Sequence, residues 1–206
     1  MSSARQTVAE PDAIFGDIVD KPITRAQAAC KAERYHLVYD SYNESSTKSG
    51  EWLRRGGGDA LTLSHLEADT PLPRQMDKFW RCSENKMNFQ LLSWERALAK
   101  SNNMVVSGIV HNEELLPAQR RINGDVVEIH ELESLENEAD QRLIVHLNWA
   151  IINSAKRVVV FCNDSDVVVL LLRYYKQWFV TGLKELWVNY GTGQNRRMLP
   201  IHAIFD

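Results

Sequence analysis

Apolar positions in this chain fall into short Val-rich runs separated by stripes of helical period. The densest stretch is Arg157–Tyr175, RVVVFCNDSDVVVLLLRYY. Arg157–Cys162 suits a strand buried on both faces. Asn163–Asp166 then breaks the apolar run with two carboxylates, Asp164 and Asp166. Val167–Tyr175 resumes it as a helix packed on the sheet, with Asn163 or Asp164 as N-cap.

The same reading extends to the rest of the chain. Glu84–Lys100 is a helix whose apolar face carries Met87, Leu91, Trp94 and Leu98. Glu136–Ala155 is a second, with Leu143, Leu147, Ala150 and Ile151 toward a sheet. Thr24–Ala32 makes a shorter helix, and Glu44–Arg55 a polar one with a basic end, stopped by Gly56–Gly58. Strands are expected at Tyr35–Tyr39, Met104–Val110, Val126–His130 and Glu185–Tyr190. NEELLPAQRRING, before Val126, reads as a loop or hairpin, 59–75 as irregular, and GTGQNRR as a basic turn. Strands alternating with helices predict an α/β fold with a mainly parallel central sheet flanked by helices. Residues 1–22 are polar and aperiodic and read as a loose leader, leaving 23–206 as the domain.

Composition narrows the function classes. The formal net charge is −3 over 206 residues, so no global basic field draws nucleic acid and any such contact must be local. Cys30, Cys82 and Cys162 are too scattered for a zinc pattern or a disulfide framework. The N-terminus lacks the regions of a signal peptide, and the longest apolar run, Val167–Leu172, is too short for a bilayer span. A soluble, intracellular protein without membrane partners is expected.

Acids recur at the strand ends. Asp40 closes the first strand, Glu138 and Asp140 open a helix in NEADQR, and Asp164 and Asp166 follow the Val-rich strand. Parallel strands deliver their carboxyl ends to one edge, where α/β proteins bind ligands. Carboxylates gathered there need a compensating cation, and oxygen-only donors suit Mg²⁺ or Mn²⁺. Each acid alone also has an ordinary reading as a cap, a turn residue or a dipole partner. A phosphatase-like or receiver-like domain using the Asp pair on one Mg²⁺ is a weaker reading, with Asp164 as nucleophile and Lys184 opposite.

The order VYD, KSGEWLRR, EADQR and DSD resembles the flap-endonuclease/XPG branch of the PIN-like nucleases. VYDSYNESSTKSGEWLRR, FWRCSENK, ENEADQRLIVH, NDSDVVVLLL and LWVNYGTGQNRRMLPIHAI look more closely like an animal group of PIN-like proteins linked to mobile elements. The resemblance covers about residues 35–204. It implies cleavage of branched or single-strand-flanked DNA or RNA with two divalent ions, Mg²⁺ or Mn²⁺. By it, Asp40, Glu138, Asp140, Asp164 and Asp166 match the metal-site acids, and Lys48 and Arg55 the basic helix at the scissile phosphate. A nuclear compartment follows only by analogy. The family's earlier strand-closing aspartate has no counterpart here, since Asp12, Asp17 and Asp20 sit in the polar leader. Its last downstream acid is also missing. The resemblance therefore implies a domain incomplete at both ends. A catalytically inactive PIN-like binding module, or a mobile-element relic, is the alternative.

Other residues carry weaker signals. Arg196 and Arg197 in the basic turn suit a nucleic-acid backbone as well as they suit solvent. His146 reads as a partly buried helix histidine. Cys162, between apolar and acidic neighbours, is expected to hold its proton rather than act as a nucleophile.

Overall fold

The computed structural model describes residues 13–41, 62–63, 65–134 and 136–204. The chain divides into two compact units at the Ala139/Asp140 boundary.

In the first unit, α1 is Phe15–Ala29, β1 is Tyr35–Val38, α2 is Met76–Phe79 and α3 is Ser83–Lys100. The strands β2 (Met104–Ser107), β3 (Val110–His111), β4 (Glu114–Leu115), β5 (Gln119–Ile122) and β6 (Asp125–Glu128) follow. One sheet runs β1-β2-β5-β6, with β1 and β2 parallel and the other pairs antiparallel. β3 and β4 form a separate hairpin. The second unit holds most of α4 (Ala139–Ile152), then β7 (Arg157–Cys162), α5 (Ser165–Thr181), β8 (Glu185–Tyr190) and β9 (Arg197–Pro200). Its sheet runs β7-β8-β9, parallel then antiparallel.

The α/β class therefore holds, but the sheets are mixed rather than mainly parallel. Tight turns are the cause. Asn112 and Glu113 have φ of 49° and 67°, and Asn123 and Gly124 have φ of 50° and 99°. Two consecutive left-handed residues make the turn that folds a strand straight back on itself. Asn-Gly in ING is a strong sequence signal for such a hairpin, and of the two readings of this stretch, loop or hairpin, the hairpin holds, with β6 overlapping the strand expected at Val126–His130.

α1 starts well inside the stretch expected as a loose leader. Phe15, Ile18, Val19 and Ile23 recur at helical spacing and are buried. Phe15, Ile18 and Val19 pack with Phe79, Trp80, Phe89 and Leu92. Asp17 and Asp20 are thus helix residues. Asp20 pairs with Arg96 and Lys100 on α3, with Arg96 Nε at 2.9 Å from Oδ1.

α3 forms as expected but buries a different face. Leu98 is buried, while Met87, Leu91 and Trp94 are half-buried, and Asn85, Lys86, Gln90 and Ser93 lie inside with Phe89, Leu92 and Ala97. The polar groups go in because they have partners there. Asn85 Oδ1 accepts Leu63 N–H at 2.8 Å, and its Nδ2 donates to Phe79 O at 3.0 Å. Gln90 Nε2 donates to Asp40 O at 2.9 Å. Ser93 bonds the Tyr39 hydroxyl at 2.5 Å. A buried polar group that keeps its hydrogen bonds avoids most of the desolvation cost.

Between β2 and β3, Gly108 has φ of 82°, and a Cβ there would lie 2.0 Å from Tyr39 O. Only glycine lets the chain pass so close to the end of β1.

In the second unit, Ile144, Leu147 and Ile151 of α4 and Leu171, Tyr175 and Trp178 of α5 cover Val160, Leu186 and Val188. Burying each large side chain contributes roughly 1.5–3 kcal/mol. Trp178 Nε1 also donates to Asn148 Oδ1 at 2.6 Å, tying the two helices. α4 puts Arg142, Ile144 and His146 inside, and leaves the expected Leu143 and Ala150 half-buried. β7 is not buried on both faces: only Val160 is buried, and Phe161 is 40% exposed. Its period of two sends Val158, Val160 and Cys162 to the helix side, and Arg157, Val159 and Phe161 to the other. Gly182, at φ 118°, ends α5 in the left-handed conformation that favours glycine. No helix among the described residues is long and apolar enough to cross a membrane.

Candidate functional site

β7 delivers Cys162 to the carboxyl end of the second unit's sheet, opposite Tyr190 of β8. Two residues later Asp164 adopts an extended backbone, and its Oδ1 accepts Asp166 N–H at 2.9 Å. Of the two N-caps that the sequence suggests, Asn163 or Asp164, it is Asp164 that caps. A short acceptor satisfies one of the free N–H groups of α5, and both acids suit the positive end of the helix dipole. Asp164 and Asp166 are exposed.

Cys162 reports on what surrounds this edge. Its thiol is pushed up to about 11, chiefly by burial. A bond toward Asp164 O at 3.8 Å opposes that, and the negative charges of Asp164 and Asp140 add to it. Asp140, in the first turn of α4, therefore lies close enough to act on the same thiol as Asp164. At this pKa the thiolate is scarce near neutrality, so Cys162 is no nucleophile.

Arg197 reaches the same edge through strand register. It pairs with Tyr190, which pairs with Cys162, and its guanidinium lies 5.7 Å from the Tyr190 ring centre. Arg196 is half-buried in the preceding turn. Asn189, one residue before Tyr190, went unremarked in the sequence. It is 9% exposed, and its Oδ1 has no hydrogen-bond partner among the described residues. It pairs with Phe161 and so faces the opposite side of the sheet from Cys162. Nothing in its sequence context distinguishes it from a core amide.

In the first unit, Asp40 follows β1 and is half-buried. Its Oδ1 accepts Ala139 N–H at 2.9 Å. Ser41 N–H donates to Asn137 O at 2.9 Å, so the end of β1 is fastened to the segment holding Glu138. Glu138 is exposed. Lys48 and Arg55, with the helix expected around them, lie outside the described residues.

Lys184 does not face Asp164. It immediately precedes β8, which runs parallel to β7, so it lies at the opposite end of the strands from the acids. A six-residue strand separates the two by about 20 Å. That removes the phosphatase-like or receiver-like arrangement.

Carboxylate oxygens are the donor type that Mg²⁺ and Mn²⁺ take. Two of the acids already serve the backbone, Asp40 at Ala139 and Asp164 at Asp166. Among the described residues, no three His, Cys, Asp or Glu side chains are grouped closely enough to hold a metal ion. No family model matches the chain, and no curated protein or solved structure matches it either.

Proposed function

We propose that this chain is a PIN-like, divalent-metal-dependent nuclease domain that hydrolyses phosphodiester bonds in DNA or RNA. One observation carries the reading. Asp140 and Asp164, from separate elements and in the order the resemblance requires, both act on the Cys162 thiol at the carboxyl end of β7. Asp140, Asp164 and Asp166 would hold Mg²⁺ or Mn²⁺ in the second unit. Asp40 and Glu138 join the set by resemblance, as do Lys48 and Arg55 at the scissile phosphate. Bound divalent ions supply an activated water and compensate charge on the leaving oxygen. The chain's own contribution is to fix the acids at a strand end and to carry Arg197 at the same sheet edge, two strands from Cys162, as a guanidinium to grip phosphate.

The test is Mn²⁺ titration by calorimetry on the natural chain and on Asp164→Asn/Asp166→Asn. Binding that disappears in the double variant supports the site, and Mn²⁺-dependent cleavage of flap and single-stranded substrates then supports the activity. No Mn²⁺ binding by a folded natural chain sinks the proposal.

The second reading is a catalytically inactive PIN-like binding module. The backbone bonds of Asp40 and Asp164 favour it, because they give both acids a structural task that needs no ion. Nucleic-acid binding that is indifferent to Mn²⁺, without cleavage, is its signature.

A further inference from the structure

We infer that the outer stripe of α5 is a track for the backbone of a single-stranded nucleic acid running away from the acidic edge. The inference takes its direction from the nuclease reading, because the stripe begins at Asp166.

Helical geometry defines the stripe. Asp166, Val169, Arg173, Lys176, Gln177 and Val180 fall within a sector of about 100° on a 3.6-residue helix. All six are exposed, Val169 at 63% and Val180 at 82%. The opposite sector carries Val167, Leu171, Tyr175 and Trp178, all buried. Arg173, Lys176, Gln177, Val180 and Thr181 line an open depression of about 420 Å³.

Charge selects the occupant. Among the described residues, neither Arg173 nor Lys176 has a carboxylate at ion-pair distance. Lys184 shares this property and sits 6.0 Å from the ring centre of Phe179, which is 54% exposed. Cations left without acids beside an exposed aromatic ring match a chain of phosphates carrying stackable bases. Arg173 and Lys176 are one turn apart, about 5–6 Å between Cβ atoms, which is the scale of neighbouring phosphates on a strand. At 1.5 Å per residue, Arg173 lies about 10 Å and Lys176 about 15 Å along the axis from Asp166. A strand cut at the acids meets these cations a few nucleotides from the scissile bond. A narrow stripe with two central cations suits one strand better than a duplex, whose paired backbones spread charge across both sides of a groove.

The experiment measures fluorescence anisotropy of a short fluorescein-labelled oligo(dT) in EDTA, where cleavage cannot intervene, over a range of salt. Arg173→Glu/Lys176→Glu is expected to weaken binding about tenfold or more. It should also reduce the salt slope by about 1.4, at roughly 0.7 for each phosphate no longer neutralised. Lys21→Glu/Lys31→Glu changes net charge equally at exposed sites of the first unit and is expected to leave binding nearly unchanged. Thermal melts of both variants check that they fold. Binding unaffected by the α5 pair, equal weakening by the control pair, or no binding by the natural chain overturns the track. The companion assay is cleavage in Mn²⁺. Cleavage with α5-independent binding defeats the track and leaves the nuclease reading. Binding through α5 without cleavage defeats the nuclease reading and leaves the track.

Discussion

Asp164 caps the helix that carries Asp166: its Oδ1 accepts the Asp166 backbone N–H at 2.9 Å. The first acid of the D-x-D pair thus helps to start the helix that holds the second. A carboxylate has lone pairs to spare after one such bond, so capping and ion binding can use the same side chain. What differs between the roles is their chemistry. A cap needs an acceptor, and an ion needs charge.

Two substitutions separate those roles. Asp164→Ala removes the acceptor and is expected to cost about 1 kcal/mol of stability, read by urea denaturation. Asp164→Asn keeps an acceptor that caps equally well, so stability should stay near that of the natural chain while Mn²⁺ affinity falls. If Asn costs as much stability as Ala, the carboxylate charge is structural and the metal assignment loses its clearest probe.

Asp20 joins α1 to α3 through Arg96 and Lys100. The Arg96 bond is the main cause that holds its carboxyl below the ordinary value of 3.8. A depressed carboxyl stabilises the fold above its unfolded pKa, and the contribution is lost as pH falls through the folded value. Asp20→Asn is therefore expected to cost about 1.5–3 kcal/mol at neutral pH, the range for hydrogen bonds to charged groups. Stability curves of the two proteins should converge in strong acid. Curves that stay parallel throughout would mean that the charge contributes nothing.

Much of this fold was legible because the signals were local. β7 and β8 match their sequence boundaries, since each is a Val- or aromatic-containing run between turn residues. Asp164 was readable as a cap for the same reason. The failures came where tertiary bonds outweighed pattern. α3 turns Asn85, Gln90 and Ser93 inward, and no periodicity of apolar residues predicts that. Of α1, only Thr24–Ala29 lies within the expected helix; its first turns were missed because Asp17, Asp20 and Lys21 hid the Phe15, Ile18, Val19 stripe within a polar composition. For the site, type and order of the acids were readable, but the engagement of Asp40 with Ala139 was not. That bond spans 99 residues of sequence and depends on where β1 ends.

His36, in β1, has its pKa pushed down to about 4, first by burial and then by the charge of Arg34. The folded chain resists protonation that the unfolded chain accepts below 6.5. Stability is therefore expected to fall by about 1.4 kcal/mol per pH unit as the pH drops from there toward 4, and to level off below it. His36→Gln should flatten that segment of the curve, measured by denaturant midpoints across the range. A natural chain with no slope between those values would place the ring in a more solvated setting than β1 gives it.

Cys162 offers a reading of the acidic edge that needs no substrate. Its thiol is held high by burial, then by Asp164 and Asp140. The thiolate is the reacting form, so alkylation by iodoacetamide at mildly alkaline pH should be slow in the folded chain. Removing one negative charge favours the thiolate, so Asp140→Asn should speed the reaction, as followed by mass spectrometry of the Cys162 peptide. Mn²⁺ should do the same in the natural chain, since a cation at these acids offsets their charge on the sulfur. It should do nothing in Asp164→Asn/Asp166→Asn. An accelerating Asp140→Asn with no response to Mn²⁺ would leave the acids together but without an ion. No response to either would mean that Asp140 does not share the edge, and the second unit's part of the metal site would fall with it.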